Sequence, residues 1–251
     1  MTRRPEWPLY LARFHDERPG ITADTLGTAR SWDVDPYQWA LQPLANATQV
    51  VDIACGDGPV ATRTSSVGWV GVDASPAELR RARAQGAHTV VRADATRLPL
   101  PTGSTEALVC CMALMVVQPM DALLGEIRRI LAPGGTAVAL LPGRRPLSAR
   151  DLYRYACLMA VLHRTHLGYP NDRQIARLPA ACARAGLEVV DDRRLRFELP
   201  LPDEAAAHRF VASLYLPGTG GVLCRRAAQR AAQWAPGSLG LPLRRVTLEP
   251  L

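Results

Sequence analysis

Short apolar runs and amphipathic stretches alternate through the middle of the chain. Residues 49–54 form a compact apolar run that ends in a glycine-rich turn, the pattern of a strand buried on both faces. A second strand is predicted over 69–72, ending at Asp73. Ser75 then caps a helix, with Pro76 at its first position and Glu78 three residues on as a capping box; the helix runs through Leu79 and Arg83 and stops at Gly86. Strands are predicted over 89–92, 107–112 and 136–141. Between the last two, Leu123, Leu124, Ile127, Ile130 and Leu131 fall at helical spacing over 121–131, and Pro133-Gly134-Gly135 make a turn.

After Pro142 the pattern changes. Helices are predicted over 148–162, capped by Ser148, and over 171–185, stopping at Gly186. A long strand follows over 187–199, then helices over 203–214 and 224–234, and a last strand over 243–248. Before the first strand, Asp35 and Pro36 start a helix carrying Tyr37 and Trp39. Strands alternating with helices require right-handed crossovers and a mostly parallel sheet. A final pair of strands adds an antiparallel edge. The fold expected is α/β, a doubly wound, mostly parallel seven-stranded sheet with helical lid additions. It forms one domain over 1–251. Within it, 1–46 are an N-terminal lid, 47–142 the ligand-binding core, 143–186 a helical insertion over the substrate, and 187–251 the strands and helices that complete the sheet.

Composition narrows the classes. The chain has 251 residues, 48% of them hydrophobic, which is globular. No apolar run approaches the roughly 18 residues needed to span a bilayer, and Arg3 and Arg4 are followed by no apolar signal segment, so a cytoplasmic protein without membrane contact is expected. The net charge is +7. All of that positive charge is arginine, spread in pairs such as Arg80-Arg81, Arg193-Arg194 and Arg244-Arg245. A nucleic-acid binder concentrates charge in a patch or stripe, so a solvated surface is expected and no nucleic-acid partner. The six cysteines form no C-x-x-C pair, and His163 and His166, three apart, have no Glu or Cys beside them, so no metal is expected.

The chemistry gathers where the strands end. In an open parallel sheet, ligands bind beyond the carboxyl ends of the strands, at the switch in strand order. Asp52 to Gly58, Asp73, Asp94 and Cys111-Met112 occupy those ends. Gly56 and Gly58 let the backbone bend and a ligand approach closely. Asp73 can accept from two ribose hydroxyls, and Asp94 from an adenine amine. The turn Gly56-x-Gly58-x-x-Ala61 also fits a dinucleotide fingerprint. Two residues separate the readings. Pro59 removes a backbone donor that a pyrophosphate would use. Asp52 would repel a pyrophosphate, yet it can hold an amino-acid ammonium. A ligand with an adenosine, an ammonium and no phosphate is S-adenosyl-L-methionine (SAM).

Residues 50–58, Val-Val-Asp-Ile-Ala-Cys-Gly-Asp-Gly, resemble the first motif of class I SAM-dependent methyltransferases. Gly71 to Pro76, Arg92 to Pro101 and Arg129 to Thr136 resemble the family's later motifs, in the right order. The resemblance is closest to the small-molecule "type 11" branch, with a Rossmann-like fold. It covers 50–141, a little over a third of the chain. Ala54 replaces the motif's first glycine, and the short connection from 58 to 68 implies a stubby first helix. The resemblance implies that Asp73, with Ala74 beside it, binds the ribose. It places Asp94 and Ala95 at the adenine and Asp52, Ala54, Cys55, Gly56 and Gly58 at the methionyl part. Cys111 and Met112 would lie against the SAM tail, or else fill the core as strand residues.

Acceptor choice belongs to the two lids. Arg18 is expected to pair with the SAM carboxylate, and His15 to face the active site. Of Tyr37 and Trp39, two apart on one helix, one is expected to line the pocket. In the insertion, Tyr153 and Tyr169 are candidate substrate contacts. His15, His163 and His166 are candidate bases. The expected activity is methyl transfer to an O, N or C atom of a small metabolite, in a chain that acts alone or as a homodimer. The alternatives are an RNA or protein methyltransferase and a non-methylating SAM binder. Against the former, strand four continues as the apolar Cys-Cys-Met-Ala-Leu-Met rather than an N-P-P-Y-type tetrapeptide.

Overall fold

The structure is a computed structural model that describes residues 6–64 and 68–251. Three helices precede the sheet: α1 (Trp7–Glu17), α2 (Ile21–Leu26) and α3 (Pro36–Leu41). Asp35 caps α3 through the amides of Tyr37 and Gln38, and Gln38 returns a bond to the Asp35 amide, a full capping box. Then come β1 (Gln49–Ile53), β2 (Gly68–Asp73), α4 (Pro76–Ala84), β3 (Val90–Arg92), β4 (Thr105–Cys111), α5 (Met120–Ile130) and β5 (Leu131–Pro142). The second half holds α6 (Ala149–Val161), α7 (Asp172–Ile175), α8 (Leu178–Arg184), β6 (Leu187–Leu201), α9 (Glu204–Ala212), α10 (Gly221–Ala232) and β7 (Gly237–Pro250).

The seven strands form one sheet in the order β3-β2-β1-β4-β5-β7-β6. The first five are parallel, and β7 runs antiparallel to both β5 and β6. The order reverses between β1 and β4, so a crevice opens beyond the carboxyl ends of those two strands. Alternating side chains build a core on each face. Val50, Val109, Val138 and Leu140 face α3, α6, α9 and α10 through Trp39, Leu158, Phe210 and Ala227. Val51, Leu108, Cys110 and Ala139 face α5 and α8 through Leu123, Ile127 and Leu178.

The expected strands are all present, and the elements differ from expectation in four places. The helix expected over 171–185 is two short helices, because Pro179 has no N–H to give to the turn before it. The turn at Pro133-Gly135 is an irregularity inside β5, where Gly134 takes φ +75°. Residues 59–63 form turns rather than a stubby helix, and 65–67 lie outside the described residues. Strand β7 begins well before residue 243 and pairs with β6 along the whole length of both, beyond the end of β5. Among the described residues, no helix is long and apolar enough to cross a membrane.

Candidate active site

The β1 strand ends in a turn whose backbone leaves the ordinary regions. Ala54 takes φ +56°, Gly56 φ +55° and Gly58 φ +81°. Gly56 is open above: a Cβ there would meet nothing nearer than the Glu78 carboxylate at 3.8 Å. Gly58 is closed below, where a Cβ would press on Ala87 at 3.3 Å. One glycine thus gives a ligand access, while the other seats the turn on α4. The turn is held by Asp73, at the end of β2. Its Oδ2 accepts from the Gly56 amide at 2.8 Å and its Oδ1 from the Ser75 amide at 2.8 Å.

Beside the turn lies a cavity of about 380 Å³. Asp52, Ala54, Cys55 and Gly56 line it from the turn, Asp73 and Ala74 from β2, Asp94 and Ala95 from the end of β3, and Cys111 and Met112 from the end of β4. Asp52 is 1% exposed, and the Trp69 indole N–H near its carboxylate makes no well-formed hydrogen bond to it. Burial, and next the charge of Asp73, push its carboxyl well above the ordinary range. A buried carboxylate short of well-formed hydrogen bonds, facing a cavity, is completed by a ligand cation. The ammonium of a methionyl group supplies one, so these residues fit SAM. Asp94 Oδ1 accepts from the Thr96 amide and hydroxyl, both at 2.8 Å, which fixes the carboxylate in place. Burial pushes the Cys110 thiol up to about 12 and raises the Cys111 thiol as well, so neither is a thiolate at neutral pH.

A second cavity, of about 790 Å³, opens beyond the ends of β4 and β5. Its walls are largely apolar, with Met115, Leu158, Met159, Phe210 and Leu243 among them. Thr22, Met112 and Tyr215 line both cavities and mark the junction. Met112 reaches that position with φ +57°.

The N-terminal helix closes the first cavity. His15 on α1 faces it, with Nδ1 2.7 Å from Glu78 Oε1 and Nε2 3.1 Å from the Tyr215 hydroxyl. Asp16 accepts from the Ser75 hydroxyl at 3.1 Å, and the Tyr10 hydroxyl accepts from the Leu216 amide at 2.8 Å. Glu78 does not return the bond of a capping box. The Ser75 hydroxyl does accept from the Glu78 amide, but the Glu78 carboxylate turns to His15 and to the Gly20 amide instead. It thereby joins α4 to the N-terminal segment.

The other candidates scatter. Tyr37 lines the first cavity, whereas Trp39 is buried against Phe197 and beneath the Arg245 guanidinium. Gly58 does not line the cavity, for the packing reason above. Arg18 departs from its expected place: its guanidinium lies over the Phe14 ring and donates to the Ala212 carbonyl, away from the cavity. Tyr169 lines the second cavity, and its ring meets those of Trp7 and Tyr215. His166 is exposed at the rim of that cavity, 3.7 Å from Asp172. Tyr153, in the first half of α6, and His163, just past its end, are exposed and line neither cavity. Sequence reasoning did not single out Thr22 or Tyr215, and it gave Glu78 a local role only. Among the described residues, no cluster of His, Cys, Asp and Glu is arranged to hold a metal.

Comparison with known proteins agrees with this geometry. Residues 51–139 match the family model described as a methyltransferase domain. The demethylmenaquinone methyltransferase of Thermus thermophilus is 34% identical over 101 residues, 37% of this chain and 46% of that protein. The trans-aconitate 2-methyltransferase of Paracidovorax citrulli is 31% identical over 147 residues, 56% of this chain and 52% of that protein. The chain thus spans about half the length of these curated relatives. The crystal structure of the [4+2]-cyclase SpnF superposes with a TM-score of 0.61 at 17% identity, over 96% of each chain, which shows the shared fold. Residues 51–139 thus resemble a methyltransferase domain, and the residues around the first cavity fit SAM.

Proposed function

We propose that this chain transfers the methyl group of SAM to a small, largely apolar molecule held in the second cavity. One observation carries the reading: two cavities of different chemistry meet at Thr22, Met112 and Tyr215. The first presents carboxylates suited to an ammonium, a ribose and an adenine amine. The second presents apolar walls of a volume typical of small-molecule sites. The small-molecule acceptors of the demethylmenaquinone and trans-aconitate relatives support the same class.

SAM supplies a methyl group activated on a sulfonium. The chain's own part is to bind, orient and exclude water. Asp73 would hold the ribose, Asp52 the methionyl ammonium, and Asp94 with Ala95 the adenine. Helix α1 covers this cavity through the bonds of His15, Asp16 and Tyr10. Trp7 and Phe14 are buried on the same helix, packed with Met115 and Tyr215.

The test is calorimetric titration with SAM and S-adenosylhomocysteine, followed by assay of S-adenosylhomocysteine release across a panel of apolar hydroxy, keto and carboxylic acids. Binding with turnover on a member of the panel supports the reading. Binding with no turnover on any member replaces it with the non-methylating alternative.

A further inference from the structure

At the junction of the two cavities, a chain of polar side chains runs from a buried acid to a hydroxyl. Glu78 is 3% exposed, and its Oε1 lies 2.7 Å from His15 Nδ1. A carboxylate there accepts the Nδ1 proton, which leaves Nε2 as the acceptor for the Tyr215 hydroxyl at 3.1 Å. Tyr215 is held by edge contacts with Phe14, at 4.8 Å between ring centroids, and with Tyr169, at 6.4 Å. Beside the Tyr215 hydroxyl is Thr22 Oγ1, a buried atom close enough to interact with that hydroxyl, though without a well-formed hydrogen bond. Among the described residues, Thr22 and Tyr215 are also the only polar side chains that line both cavities.

A base oriented by an acid, behind two neighbouring hydroxyls, is an arrangement for removing a proton from a bound group. We propose that the acceptor is a hydroxyl compound, a phenol or enol on an apolar body. In this assignment Tyr215 and Thr22 hold its hydroxyl while His15, oriented by Glu78, receives its proton. The inference rests on the methyl-transfer reading and narrows its acceptor atom from O, N or C to oxygen.

The acceptor O–H breaks and its proton goes to Tyr215 Oη, as the Tyr215 proton goes to His15 Nε2. The acceptor oxygen keeps the electron pair and uses it to form the new O–CH₃ bond. The S–CH₃ bond of the donor breaks, and its pair stays on sulfur as a neutral thioether. The proton rests on His15, opposite Glu78. Burial, first, and the charges of Glu78 and Asp73 raise the Tyr215 hydroxyl, which therefore stays protonated and acts as the conduit rather than the final base. The titratable groups bearing on this chain include Glu78 on α4, Asp57 in the β1 turn, Asp73 at the end of β2, Tyr10 on α1 and Tyr169.

The experiment uses the full chain saturated with S-adenosylhomocysteine and two probes. The first is 4-nitrophenol, whose ionised form absorbs at longer wavelength. The second is 4-nitroanisole, the same body without the O–H. Expected in the wild type are about tenfold tighter binding of the phenol than of the ether and a rise of about tenfold in the ratio of ionised to un-ionised phenol on binding. Tyr215→Phe keeps the ring and is expected to lose both effects while still binding the ether, which shows that its cavity is intact. His15→Gln is expected to bind the phenol without ionising it. Equal affinity for the two probes, no binding of the phenol, or undiminished ionisation in Tyr215→Phe overturns the proposal. Failure of the wild type to bind S-adenosylhomocysteine overturns the methyl-donor reading beneath it instead.

Discussion

The carboxylate of Asp73 accepts the Gly56 amide at 2.8 Å, so the acid placed to bind a ribose is also the acid that shapes the glycine turn. Its other oxygen accepts from Ser75, at the start of α4. Asn in its place offers one acceptor oxygen for two donors and turns an NH₂ toward the other. Asp73→Asn is therefore expected to weaken SAM binding by about 10- to 100-fold, nearly as much as Asp73→Ala. Calorimetry checks this, and wild-type affinity in the Asn variant would remove Asp73 from the site.

Asp52 gives a prediction with a sign. Its carboxyl is raised by burial in the folded chain, so the folded state binds more protons than the unfolded state. Stability of the ligand-free protein is then greatest below the unfolded carboxylate value of about 3.9 and falls as pH rises from there toward the raised folded value. Asp52→Asn removes this cost. At neutral pH it is expected to raise the stability of the ligand-free protein by about 1–3 kcal/mol and to weaken SAM binding. Thermal melts with and without SAM, across pH, check both. A variant less stable than wild type and unchanged in affinity contradicts the assignment.

Arg18 lies over Phe14 and outside the cavity. Arg18→Ala is expected to leave SAM affinity within about twofold of wild type, as exposed charges commonly do. A larger loss would mean that α1 shifts when the ligand binds.

The sharpest structural loss is expected at Asp151 on α6. Burial alone would raise its carboxyl. Bonds from Arg196 at 2.8 Å, from Ser148, and from the Gly240 amide at 2.9 Å outweigh burial and hold it well below the ordinary range. Asp151→Ala leaves Arg196 without this partner and is expected to cost about 3–5 kcal/mol in chemical denaturation. In the wild type this contribution is present above the ordinary carboxylate value and is lost as pH falls through the depressed one. A cost under about 1 kcal/mol would mean that Arg196 finds another partner.

The first half of the molecule was legible because its signals are local. The β1 turn, Asp73 and Asp94 each sit at a strand end that a short apolar run announces. The junction was not legible, because His15 and Tyr215 stand 200 positions apart and meet only when α1 lies across the sheet ends. Glu78 was misassigned for a related reason. At the third position of a helix it looks like a cap, and nothing nearby in the chain announces its partner. In β7, Gly237, Gly240 and Pro242 read as breakers. They are tolerated because the strand there pairs only with β6, and the Pro242 carbonyl takes the Gly143 amide at 2.7 Å.

The overhang of β6 and β7 past the end of β5 has a wider consequence. Residues of β7 beside that arm, with α6 and α9, wall one side of the second cavity, while the first is built chiefly from β1 to β4 and α1. Among the described residues, only three side chains belong to both. Exchange of the segments around the arm could therefore alter which molecule is modified while leaving recognition of the donor intact, provided Thr22, Met112 and Tyr215 stay in register.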